Sequence, residues 1–284
     1  MRFPDRRIRS VSEFLSELNS RRHMRQTIWY RGQERESWGL TPTIARVAGG
    51  ITAESTLITR FKQNALAVLA ERPATEWEWL FIMRHYGVPT RLLDWTESPL
   101  VGLYFAVDKL PRSDGAVWHL LPIELNKMTN IRPEHPAEIP GCGDDDVLNN
   151  YLPSSLSRER TSSLSPASAI APRNTRRMQA QHGVFTITHR VQTGIEQVGD
   201  QSHVWRLIVP RGAKNRIKLE LAALNVTALA SFPSSTKLQH MRRNLSNETQ
   251  GLPAPKFCDF VPLRAETEYF DQSRLPAHGR CLDA

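Results

Sequence analysis

His85-Tyr86-Gly87-Val88-Pro89-Thr90-Arg91-Leu92-Leu93-Asp94-Trp95-Thr96 leads, through Glu97-Ser98-Pro99, into Leu100-Val101-Gly102-Leu103-Tyr104-Phe105-Ala106-Val107. The residues just before it, Trp77 to Tyr86, have the spacing of a helix: Trp77, Leu80, Phe81 and Met83 recur at helical intervals. Gly87 ends that helix as a left-handed C-terminal residue, with Pro89 two positions on. Asp94-Trp95-Thr96 reads as the opening of a second helix, with Ser98 as N-cap and Pro99 at the first helical position. Leu100 to Val107 is almost free of polar residues, so this helix is expected to be deeply buried. The polar stretch His85–Thr96 is thus a loop held between two buried helices, the kind of place where a rigid scaffold presents functional groups.

Working outward, Ser10 to about Arg22 reads as a first helix, capped by Ser10 or Ser12, with Val11, Phe14, Leu15 and Leu18 on one face. Thr27-Ile28-Trp29-Tyr30-Arg31-Gly32-Gln33 is a strand running into a turn. Ser55 to Leu69 has helical spacing. Gly115 to Leu120 reads as a strand, as do Gln181–His189 and His203–Pro210, and Lys214–Asn225 reads as a helix. Residues 126–172 hold prolines, the acidic triplet Asp144–Asp146 and the serine-rich stretch Ser154–Ser168, and are expected to be a long irregular insertion. The plan is one α+β domain over 1–243, with a mixed or antiparallel sheet flanked by helices, followed by a polar, proline-containing tail at 244–284.

Hydrophobic residues make up 40% of the 284 and charged residues 23%, a balance that suits a packed core and excludes a disordered chain. A chain of this size buries roughly 75% of its unfolded surface without covalent staples. Cys142, Cys258 and Cys281 are odd in number and widely spaced, which argues against a disulfide framework or a zinc site and for a reducing, cytoplasmic setting. The N-terminus lacks the apolar core of a signal peptide, and no apolar run reaches the roughly 18–20 residues that span a bilayer. The net charge of +8 favours polyanionic partners: nucleic acid, or a phosphate-bearing ligand. The charge is dispersed, with clusters at Arg21–Arg25, Arg173–Arg177 and Arg242–Arg243.

Three clusters carry candidate chemistry. In Tyr30-Arg31-Gly32-Gln33, the arginine at a strand end offers a fork of donors to phosphate or carboxylate, and the glycine lets a ligand approach the backbone. An arginine before a surface turn is the plainer reading. In His85–Thr96, Thr90, Arg91, Asp94, Trp95 and Thr96 join His85 and Tyr86. Arg91 and Asp94, three apart, are placed to pair with each other and fix the loop, and Trp95 is either a core aromatic or a stacking platform. In Gln181-His182-Gly183-Val184-Phe185, a polar side chain and a glycine again meet at a strand end; the plainer reading is an edge strand with a bulge at Gly183. Phosphate-loop, dinucleotide-fold, nucleophile-elbow and zinc-protease motifs are all missing from the sequence.

Together these clusters resemble the FRG-domain family. The matching residues are Tyr30-Arg31-Gly32-Gln33, Leu40-Thr41-Pro42-Thr43-Ile44-Ala45-Arg46, the His85–Thr96 signature with Ser98-Pro99-Leu100 and Leu103-Tyr104-Phe105-Ala106, Gln181–Phe185, and Phe232-Pro233. The likeness spans roughly residues 10–240; the family commonly has Gln where this chain has Arg84. It occurs in bacterial and phage proteins, in settings of defence or toxin–antitoxin function. The order of motifs also distantly resembles ADP-ribosyltransferases. That resemblance implies NAD as cofactor, Arg31 on its phosphates or ribose, Thr96 or Ser98 orienting the nicotinamide half, and Gln181 in the place of a late glutamate. The amide at Gln181 departs from that pattern, since it can neither offer charge nor act as a base. Asp94 or Glu196 then becomes the candidate carboxylate. The implied site is Arg31, Asp94 and Gln181 for chemistry, with Tyr30, Gly32, Gln33, His85, Tyr86, Thr90, Arg91, Trp95, Thr96, Ser98 and Phe185 around the ligand. A non-enzymatic module binding nucleic acid or protein is the alternative.

Overall fold

The β-branched and aromatic runs assemble into one seven-stranded mixed sheet. The computed structural model describes residues 3–21, 26–47, 49–66, 69, 72–158, 163–171, 182–190 and 193–227. Gln181, the Arg173–Arg177 and Arg242–Arg243 clusters, Phe232-Pro233 and the tail 244–284 lie outside the described residues. The strands are β1 (Arg6–Arg7), β2 (Trp29–Gln33), β3 (Leu92–Thr96), β4 (Gly115–Leu120), β5 (Ala167–Ala169), β6 (Gly183–Ile187) and β7 (Val204–Val209). Their spatial order is β1-β7-β4-β2-β3-β6-β5. Only β1 runs parallel to its neighbour, β7; the other pairs are antiparallel. The fold is α+β.

Side chains alternate along a strand, so the register sorts them onto two faces. Arg31 stands opposite Trp118, and Trp118 opposite Arg206. Trp29, Arg31 and Gln33 therefore share a face with Leu93, Trp95, Trp118 and Leu120, whose apolar members form one core cluster with Leu40, Ile195 and Val198. Tyr30 and Gly32 turn to the other face, where the helices lie.

On that second face, α1 (Val11–Ser20), α4 (Pro99–Val107) and α7 (Lys214–Ala223) cover β2, β4 and β7. Next to them, α2 (Gly50–Ala65) and α3 (Glu76–His85) cover β3, β6 and β5. Local chemistry starts and stops these helices as expected. The Glu13 N–H donates to Ser10 Oγ at 3.1 Å, and Thr75 and Glu78 form a capping box at the start of α3. Gly87 follows α3 at φ 76°, in the left-handed region. The Val101 N–H donates to Ser98 Oγ at 3.4 Å, with Pro99 inside the first turn.

Three expectations are corrected. Asp94-Trp95-Thr96 does not open a helix but ends a central strand. Leu92 is buried on one face of the sheet and Leu93 and Trp95 on the other, and burial on both sides is the mark of a central strand. Residues 126–172 carry more structure than an irregular insertion: the end of α5 (Pro122–Met128), a 3-10 turn at Asp146–Tyr151, α6 (Pro153–Arg158) and β5. Leu148 and Tyr151 are fully buried there. Finally, β6 is not an edge strand, because β5 pairs with it on the side away from β3. Among the described residues, no helix is long and apolar enough to cross a membrane.

Candidate anion site in a split sheet

The register joins β2 to β3 at Tyr30 and Thr96, and the pairing does not continue to Arg31–Gln33. The two central strands part there. The segment after β2 closes the far end of the gap: the Ile44 N–H donates to the Thr90 carbonyl at 3.5 Å, and Thr43–Arg46 forms a 3-10 turn. The result is a wedge in the middle of the sheet, bounded by β2, the Thr41–Arg46 turn, the end of α3 and Asp94.

Arg31 reaches into this wedge. Its Nη1 donates to the backbone carbonyl of Asp94 at 2.6 Å, while its Nε is sealed from solvent and meets no hydrogen-bond acceptor of the protein. Across the gap, Arg84 holds the Asp94 carboxylate in a bidentate ion pair, with Nε at 3.0 and 2.8 Å from its two oxygens and Nη2 also in contact. Arg84 Nη1 extends to Thr43 Oγ1 at 3.4 Å. Arg46 lies on the exposed rim, clamped to the Thr41 carbonyl through Nε at 3.0 Å and Nη2 at 2.8 Å.

Three guanidiniums thus lie near one carboxylate, which only Arg84 contacts directly. The imbalance acts on Arg31, whose pKa falls to about 9: burial disfavours its charge most, Asp94 partly restores it, and Arg84 and Arg46 lower it further. Arg46 is lowered by burial and by Arg84. For Arg84, burial opposes the charge, but Asp94 reverses the effect and the pKa is raised. A cation held near other cations, with a donor left unmatched, has the chemistry to pair with oxygen acceptors of an anion.

Of the residues singled out from the sequence, Arg31 and Asp94 meet in this wedge, and Thr90 lends it a backbone carbonyl. His85 and Tyr86 lie where α3 ends, half-buried with their rings edge to face at 5.3 Å. The Tyr86 ring also packs 5.8 Å from that of Phe61. The others serve the fold. Arg91 does not pair with Asp94. It is buried on the helical side, with Nε at 3.0 and 2.8 Å from the Glu54 carboxylate, and it also donates to the Thr188 and Tyr151 carbonyls. Trp95 is a core aromatic whose Nε1 donates to Thr186 Oγ1 at 3.1 Å, and Phe185 packs on Phe81. Gln33 is buried as a brace, accepting from Trp118 Nε1 at 2.8 Å and donating to the Gly39 carbonyl at 3.1 Å. Thr96 Oγ1 accepts the Ser98 N–H, so both hydroxyls organise the start of α4. Tyr30 turns to the helical face against His119.

Gly32 makes room for a helix and not for a ligand: a β-carbon there would stand 2.1 Å from the Gly102 carbonyl oxygen of α4. Glu196, the other carboxylate considered, accepts the Leu40 N–H at 3.0 Å and anchors the chain that leads to the Thr41–Arg46 turn. Arg46, Thr43 and Arg84 are the members of the wedge that sequence reasoning did not assign to the site.

A family model for the FRG domain matches residues 26–115. The chain carries an FRG domain. The match contains all three arginines of the wedge, together with Thr43 and Asp94, and is narrower than the span of about 10–240 expected from the motifs. No curated protein matches the chain, and no solved structure does. The FRG segment supplies both strands that part and the turn and helix end that fill the gap between them.

Proposed function

We propose that the FRG domain of this protein binds a phosphate-bearing small molecule, a nucleotide such as NAD, with its phosphates in the wedge between β2 and β3. The observation that carries this reading is Arg31: a half-buried guanidinium whose buried Nε is unmatched, its charge disfavoured by desolvation and by two neighbouring arginines. Phosphate oxygens would accept from the arginine fork and neutralise the excess charge together. The charges of Arg84 and Arg46 both act on Arg31, and His85 and Tyr86 are half-buried at the end of α3, next in sequence to Arg84.

An ADP-ribosyltransferase-like activity, in a bacterial defence or toxin setting, is the enzymatic extension of the same reading. It is favoured by one feature: the Asp94 side chain is 41% exposed, so a carboxylate faces solvent beside the arginines. Opposing it, that carboxylate is already held by Arg84.

Calorimetric titration with NAD, ADP-ribose and inorganic pyrophosphate tests binding, on the wild type and on Arg31→Ala. Binding by the wild type and its loss in the variant support the proposal; no heat from any of the three at millimolar concentration would refute it. Radiolabelled NAD added to a lysate, with and without the protein, separates turnover from binding.

A further inference from the structure

The wedge contains its own competitor for the ligand. Asp94 is the one carboxylate among the described residues whose charge raises the pKa of Arg31, and it also neutralises Arg84 directly. Its exposure differs from that of its partner: the Asp94 side chain is 41% exposed and that of Arg84 15%. The arginine is therefore the fixed half of the pair, also reaching Thr43, while the carboxylate lies toward solvent.

Counting charge, Arg31, Arg84 and the exposed Arg46 outnumber the one carboxylate by two. A monoanion leaves one positive charge uncompensated. A ligand with two neighbouring negative charges, such as a diphosphate or a terminal phosphate monoester, brings the wedge to neutrality. We propose that Asp94 is an affinity-setting residue of this site: it occupies Arg84 when no ligand is present and competes with an incoming anion for the arginines. This rests on the wedge being a phosphate site, as proposed above.

The test measures affinity for two probes, inorganic pyrophosphate and the monoanion dimethyl phosphate, on the wild type and on Asp94→Asn. The asparagine keeps an oxygen acceptor for Arg84 while removing the charge. The expected result is that the wild type prefers pyrophosphate strongly, and that Asp94→Asn tightens the monoanion about tenfold, the size of one unit charge removed from a partly solvated neighbourhood. Pyrophosphate affinity is expected to rise as well, with a steeper salt dependence. Asp94→Ser reports the same quantity should the asparagine variant melt below the assay temperature.

The failures are distinct. A wild type that binds neither probe removes the phosphate site and this inference with it. A wild type that binds pyrophosphate, with carboxylate-free variants that bind dimethyl phosphate no better, keeps the site and overturns the role of Asp94. Weakened pyrophosphate binding in folded Asp94 variants also overturns it, because Asp94 would then support the ligand and not compete with it.

Discussion

Arg31 is held in a place that costs the fold stability and has no structural use for its full donor set. Buried cations without matched partners are more often replaced profitably by apolar side chains than not. Arg31→Met, which keeps the length and removes the charge, is therefore expected to raise unfolding free energy by about 1–2 kcal/mol in urea titrations while losing anion binding. A second residue acts through pH. His119 is fully buried, stacked on Trp205 at 5.0 Å, with Nδ1 against the Val117 carbonyl and Nε2 without a partner. That carbonyl can only accept, so Nδ1 carries the proton of a neutral ring. Burial, the largest cause, and Arg21 push its pKa down to about 3 against the helping effect of the Val117 carbonyl. The unfolded chain takes up this proton near pH 6.5 and the folded chain does not until about pH 3. His119 therefore contributes stability fully above pH 6.5 that is lost as pH falls toward 3. His119→Phe is expected to move the acid-unfolding midpoint to lower pH by circular dichroism; an unchanged midpoint contradicts this.

At the scale of elements, the decisive contact is α4 lying against β2. Gly32 and Gly102 let the backbones meet: a β-carbon at Gly102 would stand 2.7 Å from Tyr30 Cβ, and one at Gly32 would strike helix backbone. Gly32→Ala is expected to destabilise by roughly 1–3 kcal/mol or more, since the atoms it meets are backbone and cannot rotate away. A melting temperature equal to the wild type would show that α4 can retreat. This pairing also explains what could be read from the sequence. Ser98-Pro99, Gly87 and the apolar run Leu100–Val107 are local signals, and the helix ends they set are found in place. Leu92–Thr96 was misread because Asp94 and Thr96 break the apolar run and lie next to a helix cap; its strand character comes from burial between two faces, which only the assembled sheet supplies. The role of Gly32 was misread for the same reason, since a glycine after an arginine looks alike whether a ligand or a helix comes close.

Across the whole molecule, Arg84 and Arg91 have gone to different tasks, Arg84 holding Asp94 in the wedge. Arg91, just before β3, ties α2 to the end of β6 and to the 3-10 turn at Asp146–Tyr151 through Glu54, Thr188 and Tyr151. Burial raises the pKa of Glu54 and lowers that of Arg91, with each partner opposing the effect, so the pair holds its place by mutual compensation. Glu54→Ala strands the buried Arg91 and is expected to cost about 3–5 kcal/mol, seen as a lower urea midpoint. Anion binding by whatever fraction remains folded should be unchanged, because the wedge is not part of this network. Spacing alone suggested Arg91–Asp94, three residues apart; the real partners are 37 residues away for Arg91 and 10 for Asp94. Pairings at that range depend on how α2 and α3 dock, which explains why the motifs single out Arg31 and Asp94 and leave out Arg46 and Arg84, which lie near them only in the fold.

On the proposed reading, Arg31 is a cation kept for an anionic ligand. The most direct test of that reading is thermal melting of the wild type and Arg31→Met with and without millimolar inorganic pyrophosphate. The wild type is expected to gain melting temperature with pyrophosphate, and the variant to melt higher than the wild type when alone and to gain nothing from the anion. A wild type indifferent to pyrophosphate, or a variant that responds equally, contradicts it.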